Sequence, residues 1–156
     1  ENGAIGSEND LLFRIPDDIC FFRMMTTGKV VLMGRKTWDS LNHNPLPNRI
    51  NLVLTSQKRL SADGVNCYIG NEEYITNLIN THYDTDDVFV IGGTSIYEKY
   101  LPQVNTIYLT KYYRTYLNAD KYLPKLDGFI EDEVISKGYY EGAKYKITKL
   151  VNTKLM

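Results

Sequence analysis

Val30-Val31-Leu32-Met33-Gly34-Arg35-Lys36-Thr37-Trp38 changes character at its one glycine. The apolar run before Gly34 has the length and composition of a strand buried on both faces, and the polar, basic residues after it open a helix. The same transition returns at Val88-Phe89-Val90-Ile91-Gly92-Gly93-Thr94-Ser95. Further strand-length runs stand at Ile50 to Leu54, Val65 to Ile69 and Thr106 to Thr110. Helix-like segments at 17 to 26, 35 to 41, 72 to 80 and 94 to 100 lie among them, each opened by a proline, glycine, asparagine or threonine. This alternation predicts an α/β fold with a central, mostly parallel twisted sheet flanked by helices. Beyond it, Phe129 to Lys137 and Lys144 to Val151 are extended patterns joined through Tyr139-Tyr140-Glu141-Gly142, which predicts an antiparallel C-terminal hairpin at the sheet edge. No repeat or Ser/Gly-rich linker interrupts the chain, so one domain over residues 1–156 is expected.

Composition narrows the classes of function. With 18 basic against 19 acidic residues the net charge is -1, leaving no cationic excess for a phosphate backbone, so no nucleic-acid partner is expected. The apolar runs are far too short to cross a bilayer, and no signal-peptide pattern opens the sequence, so a soluble cytoplasmic protein without membrane association is expected. Cys20 and Cys67 sit in no CxxC and near no histidine pair, which argues against a metal site or a disulfide.

Three segments could meet an anion. Gly34 to Thr37 and Gly92 to Ser95 each place glycine where a strand becomes a helix, and Leu54-Thr55-Ser56-Gln57-Lys58 ends a strand with polar and basic residues. Together they suggest a nucleotide across the carboxyl edge of a parallel sheet. Each glycine turn alone would read as a plain helix start or tight turn, and neither GxGxxG nor GxxxxGK[ST] occurs, which disfavours a Rossmann dehydrogenase or a P-loop kinase. A fourth segment, Leu12-Phe13-Arg14-Ile15-Pro16-Asp17-Asp18-Ile19-Cys20-Phe21-Phe22, starts a helix at Pro16. Its two acids complement the helix dipole, and Asp17 reads as a cap. Asp18 stands one turn before Phe22, so its carboxylate shares a face with an aromatic ring and is either a second cap or the acceptor of a ligand's donors.

In order, Ile5-Gly6, Leu12 to Asp18, Met33 to Trp38, Pro45-Leu46-Pro47-Asn48-Arg49, Ile91-Gly92-Gly93, Tyr108-Leu109-Thr110 and Asp120 to Pro124 resemble dihydrofolate reductase. The resemblance implies that family's fold and the NADPH-dependent reduction of dihydrofolate by a monomer. It implies that Asp18 grips the pterin through paired hydrogen bonds, supported by the Thr110 hydroxyl. Phe22, Leu41, Leu46 and Ile91 fall where apolar walls hold the pterin and benzoyl rings. Arg49, otherwise a solvated loop charge, falls where a guanidinium fork pairs with the substrate's glutamate carboxylate. Ile5, Gly6 and Ser40 match positions around nicotinamide; Gly34, Thr37, Gly92, Gly93, Thr94 and Ser95 match the pyrophosphate turns, with Lys36, Ile96 and Tyr97 among the cofactor positions. Arg35, Thr55, Ser56 and Gln57 would surround the adenosine ribose, and the Arg35 cation favours a 2'-phosphate, hence NADPH over NADH. The family also holds the peptide at Gly92-Gly93 in the cis form.

The sequence departs from the family at three places. It starts at Glu1-Asn2-Gly3, so the family's first central strand is expected to be missing. Leu12-Phe13 stands where the lid, residues 7 to 15, carries Pro-Trp, and Phe13 lacks an indole N-H. Asn48 replaces a glycine before Arg49, where asparagine tolerates a left-handed turn. Two rival readings are a related reductase acting on a pyrimidine ribityl compound and a dinucleotide-binding subunit without catalysis.

Overall fold

Strands that run through a glycine into a helix recur through the middle of the chain, and a computed structural model of it, describing residues 4–7, 10–11, 15–56, 66–113, 121–122 and 125–155, shows what they build. In chain order the elements are β1 (Ala4–Ser7), β2 (Asp10–Leu11), α1 (Pro16–Thr26), β3 (Val30–Gly34), α2 (Arg35–Ser40), β4 (Ile50–Leu54), β5 (Cys67–Gly70), α3 (Glu72–His82), β6 (Val88–Val90), α4 (Thr94–Tyr100), β7 (Thr106–Tyr112), β8 (Lys121–Tyr122), β9 (Phe129–Tyr140) and β10 (Ala143–Asn152). The chain forms two compact units, residues 21–97 and residues 1–20 with 98–156.

The first of these contains a parallel four-stranded sheet ordered β5-β4-β3-β6, in which Leu32 stands opposite Leu52 on one side and Val90 on the other. Every residue of β3 is buried, as expected of a strand covered on both faces. Val31, Met33, Trp38, Val53 and Cys67 form the core. Each such buried aliphatic side chain contributes roughly 1.5–3 kcal/mol. Asn71 caps α3 by accepting from the Tyr74 N–H, and Glu72 and Glu73 in its first turn complement the dipole. Of the expected elements, α3 runs on to His82, α2 stops at Ser40, and β5 is described from Cys67, Val65 lying outside the described residues.

In the second unit β7, β10 and β9 form an antiparallel sheet in that order, and β2-β1-β8 a smaller one. The expected hairpin is β9-β10, and it turns at Glu141 (φ 47°) and Gly142 (φ 80°), so Tyr139 and Tyr140 remain in β9. Two successive positive φ angles give the two-residue connection whose twist matches paired strands. The 106–110 strand, expected among the parallel ones, is instead antiparallel to β10, with Thr110 opposite Ile147. Its sequence, Thr-Ile-Tyr-Leu-Thr-Lys-Tyr, mixes polar with apolar residues and is only partly buried, where β3 is continuously apolar and buried throughout, and a strand with polar positions suits an antiparallel sheet that is not covered on both faces.

Candidate active site

Pro16, with its fixed φ, starts α1, and Asp17 and Asp18 occupy its first turn. Asp18 is half-buried, and its Oδ1 accepts a 2.5 Å hydrogen bond from the Thr110 hydroxyl on β7. Burial pushes the Asp18 carboxyl above the usual carboxylate range, the Thr110 bond opposes this, and the Asp17 charge adds to it. Its Oδ2 has no hydrogen-bond partner among the described residues. A carboxylate with one oxygen anchored and one open can accept a planar pair of N–H donors, and its raised pKa lets it hold a proton nearer neutrality. Asp17 is not the plain cap its position suggests: its Oδ2 accepts from Ser136 Oγ at 2.6 Å and from Tyr145 OH at 3.1 Å.

Residues 21–97 contain a buried cation of their own. Arg49 is 8% exposed, donates from Nε to the Pro47 carbonyl at 3.0 Å and from Nη1 to Thr26 Oγ1 at 3.0 Å, and lies with Cζ 5.9 Å from the Phe22 ring centroid. Burial, with the nearby Arg23 charge, lowers its pKa, and no carboxylate among the described residues pairs with it. A buried guanidinium with no paired carboxylate among the described residues suits an anionic ligand. Asn48, at φ 59°, makes the left-handed turn that leads into Arg49. Fully buried Asn51 braces the same loop: its Oδ1 accepts from the Leu46 N–H at 2.9 Å, and its Nδ2 donates to the carbonyls of Leu46 at 3.0 Å and Arg49 at 3.2 Å. The half-buried side chains of Leu41, Leu46 and Ile91 pack against the core cluster and keep part of their surface outward.

The neighbouring strands β4, β3 and β6 deliver Thr55-Ser56, Gly34 and Ile91-Gly92-Gly93 to one carboxyl edge of the parallel sheet, the place where such sheets take ligands. The Gly34 N–H donates to the Gly92 carbonyl at 2.9 Å, and a Cβ on Gly34 would come within 2.8 Å of Ile96 Cγ1. Gly92 has φ 121°, and the Gly92-Gly93 peptide is cis, as the resemblance implied. Thr37 Oγ1 faces both glycines, 3.6 and 3.8 Å from where their Cβ atoms would stand, and Tyr97 OH lies 3.4 Å from that point on Gly92. The buried Thr94 hydroxyl has no partner among the described residues. Arg35 is exposed and pairs with Asp39 at 3.1 Å, while Ser40 Oγ donates to the Thr37 carbonyl at 2.6 Å. Lys36 and Ser95 are exposed beside these turns. An orphaned hydroxyl beside a glycine turn open to close approach fits a dinucleotide's pyrophosphate.

Ile5 and Gly6 lie on β1, whose backbone alone is described, and Gln57 and Phe13 fall outside the described residues. Thr26, Asn51, Ser136 and Tyr145 escaped the sequence reading. Asn51 leaves one signal, a polar residue in an apolar strand; the others act across distances in sequence that no local pattern reveals.

Residues 1–151 match the family profile described as dihydrofolate reductase. The dihydrofolate reductase of Haemophilus influenzae is 37% identical over 126 residues, covering 81% of this chain and 74% of that protein. That of Buchnera aphidicola is 31% identical over 156 residues, covering 100% of this chain and 92% of its own length. A solved structure, dihydrofolate reductase from Enterococcus faecalis complexed with NADP(H) and RAB-propyl, superposes with a TM-score of 0.80 at 27% identity, covering 97% of this chain and 90% of that one. Alike in sequence over almost its whole length and alike in fold, the chain belongs to the dihydrofolate reductase family.

Proposed function

We propose that this protein reduces 7,8-dihydrofolate to 5,6,7,8-tetrahydrofolate with NADPH, and that Asp18 is its catalytic carboxyl group. The observation that carries this is the half-buried Asp18 carboxyl, anchored through one oxygen by Thr110 and raised in pKa. When bound, NADPH supplies a hydride to C6 of the pterin. Asp18 accepts from the pterin N3 and 2-amino groups and orients the ring, and Thr110 holds the carboxyl in place. In orienting the ring, Asp18 also helps water deliver the proton to N5.

Phe22, Leu41, Leu46 and Ile91 form the apolar walls of the substrate site, and Arg49 pairs with the substrate's glutamate carboxylate. Gly34, Thr37, Gly92, Gly93, Thr94, Ser95, Ile96 and Tyr97 hold the cofactor's pyrophosphate. Ile5, Gly6 and Ser40 lie by its nicotinamide, and Arg35, Lys36, Thr55, Ser56 and Gln57 by its adenosine ribose. Residues 7 to 15 act as a lid that excludes water. The enzyme works in the cytoplasm as a monomer, without nucleic acid; no helix among the described residues is long and apolar enough to cross a membrane.

The test is loss of the NADPH absorbance band with purified protein, offered dihydrofolate or the pyrimidine ribityl compound of flavin synthesis. Consumption with dihydrofolate alone is expected. Consumption with only the pyrimidine, or with neither, overturns the reading.

A further inference from the structure

Consecutive residues of a helix point about 100° apart, so Asp17 and Asp18 cannot both face one partner. The β7-β10-β9 sheet meets them separately. Thr110 on β7 and Ser136 on β9 both stand opposite Ile147 of β10, so the two hydroxyls flank one buried residue on one face, roughly 10 Å apart. Asp18 takes the first and Asp17 the second. Tyr145, two residues before Ile147 and so on the same face of β10, adds its hydroxyl to Asp17. Room for that ring comes from Gly138, its partner on β9, where a Cβ would stand 2.9 Å from the phenol oxygen and 3.0 Å from Cζ.

A helix start held by the Thr110 bond alone could pivot about it; a second anchor a strand pair away removes that freedom. Resting on the reading of Asp18 as the catalytic carboxyl, we infer that Asp17 is a positioning residue whose carboxylate, pinned by Ser136 and Tyr145, fixes the first turn of α1 so that Asp18 keeps one oxygen on Thr110 and offers the other to the pterin. Asp17 also acts through its charge, which favours the protonated form of its neighbour. Among the described residues the polar groups against this pair are Thr110 from β7, Ser136 from β9 and Tyr145 from β10. Burial, with the Asp17 carboxylate, raises the Tyr145 pKa, so the phenol stays neutral and donating.

Two variants separate anchor from charge, each read by a carbon-13 titration of the Asp18 carboxyl and by the pH profile of kcat. In Asp17→Asn the amide oxygen still accepts from both hydroxyls, so the helix stays anchored and only the charge is lost. The titration midpoint and the alkaline fall of kcat then move to lower pH by on the order of half a unit. In the double variant Ser136→Ala, Tyr145→Phe the charge remains and the anchor is lost; kcat falls by roughly tenfold in folded protein, with NADPH affinity unchanged. A midpoint that stays put in Asp17→Asn, or a wild-type kcat in the double variant, overturns the inference. Asp18→Asn distinguishes this from the parent reading. If it keeps normal turnover, the catalytic assignment itself fails. If it is inactive while the Asp17 and hydroxyl variants behave as wild type, only the positioning role fails.

Discussion

Asp18 is where stability and chemistry conflict. Burial raises its folded pKa above the ordinary 3.8, so the neutral acid is the form the fold prefers. That contribution is fully present below about pH 3.8 and is lost as pH rises through the folded value. Above it, the ligand-free enzyme holds a half-buried carboxylate at a cost that a neutral isostere avoids. Asp18→Asn should therefore melt roughly 2–4 °C higher than wild type at pH 8, with the gap closing toward pH 4, by calorimetry without ligands. A gap of constant size across that range would mean the carboxyl is not desolvated. Arg49 sits in the complementary position, a buried cation with its counter-ion missing among the described residues. Arg49→Lys keeps a charge but loses the planar fork, so KM for dihydrofolate should rise on the order of 10–100-fold while kcat changes little. Steady-state kinetics check this, and an effect confined to kcat would detach Arg49 from substrate binding.

At the scale of elements, the loop from Pro45 to Arg49 depends on Asn51, a strand residue with no exposure that makes three hydrogen bonds to that loop's backbone. Asn51→Leu conserves volume but strands a buried N–H and two carbonyls. A loss of roughly 2–4 kcal/mol in urea unfolding is expected, with a parallel rise in KM as Arg49 loses its support. Retained stability would show that water satisfies the loop instead. The strands and helices themselves were largely legible, because buried parallel strands are continuously apolar and break on glycine, as at Met33-Gly34 and Ile91-Gly92. The misplacement of β7 came from counting it with those runs although threonines and Lys111 interrupt it and most of it is only partly buried. From the residues alone Asp18 reads as a second cap or a ligand's acceptor, and its proposed role, like that of Arg49, comes from the family resemblance. The Thr110 anchor, 92 residues from Asp18, came from the family resemblance and from no local pattern, and the partners Thr26, 23 residues from Arg49, and Ser136, 119 from Asp17, were not legible at all. Side-chain anchors across such spans follow from strand register, which no local pattern reports.

For the whole molecule, a cofactor that binds only the folded chain must stabilise it. NADPH at about 100 times its Kd contributes roughly 2.7 kcal/mol, a Tm rise of roughly 5–10 °C for a chain of this size. NADH at the same concentration should give a clearly smaller rise, and Arg35→Ala should narrow the difference, because the exposed Arg35 guanidinium is the cation proposed to meet the 2'-phosphate. Equal shifts with both cofactors in wild type would remove Arg35 from cofactor choice. One carboxyl group decides the assignment, and it is tested by the single-turnover rate of NADPH oxidation by dihydrofolate at pH 7 in wild type and Asp18→Asn, alongside the NADPH Kd of each. The expected result is a rate lower by at least about 100-fold in the variant with an unchanged Kd. An equal rate in both proteins would contradict it.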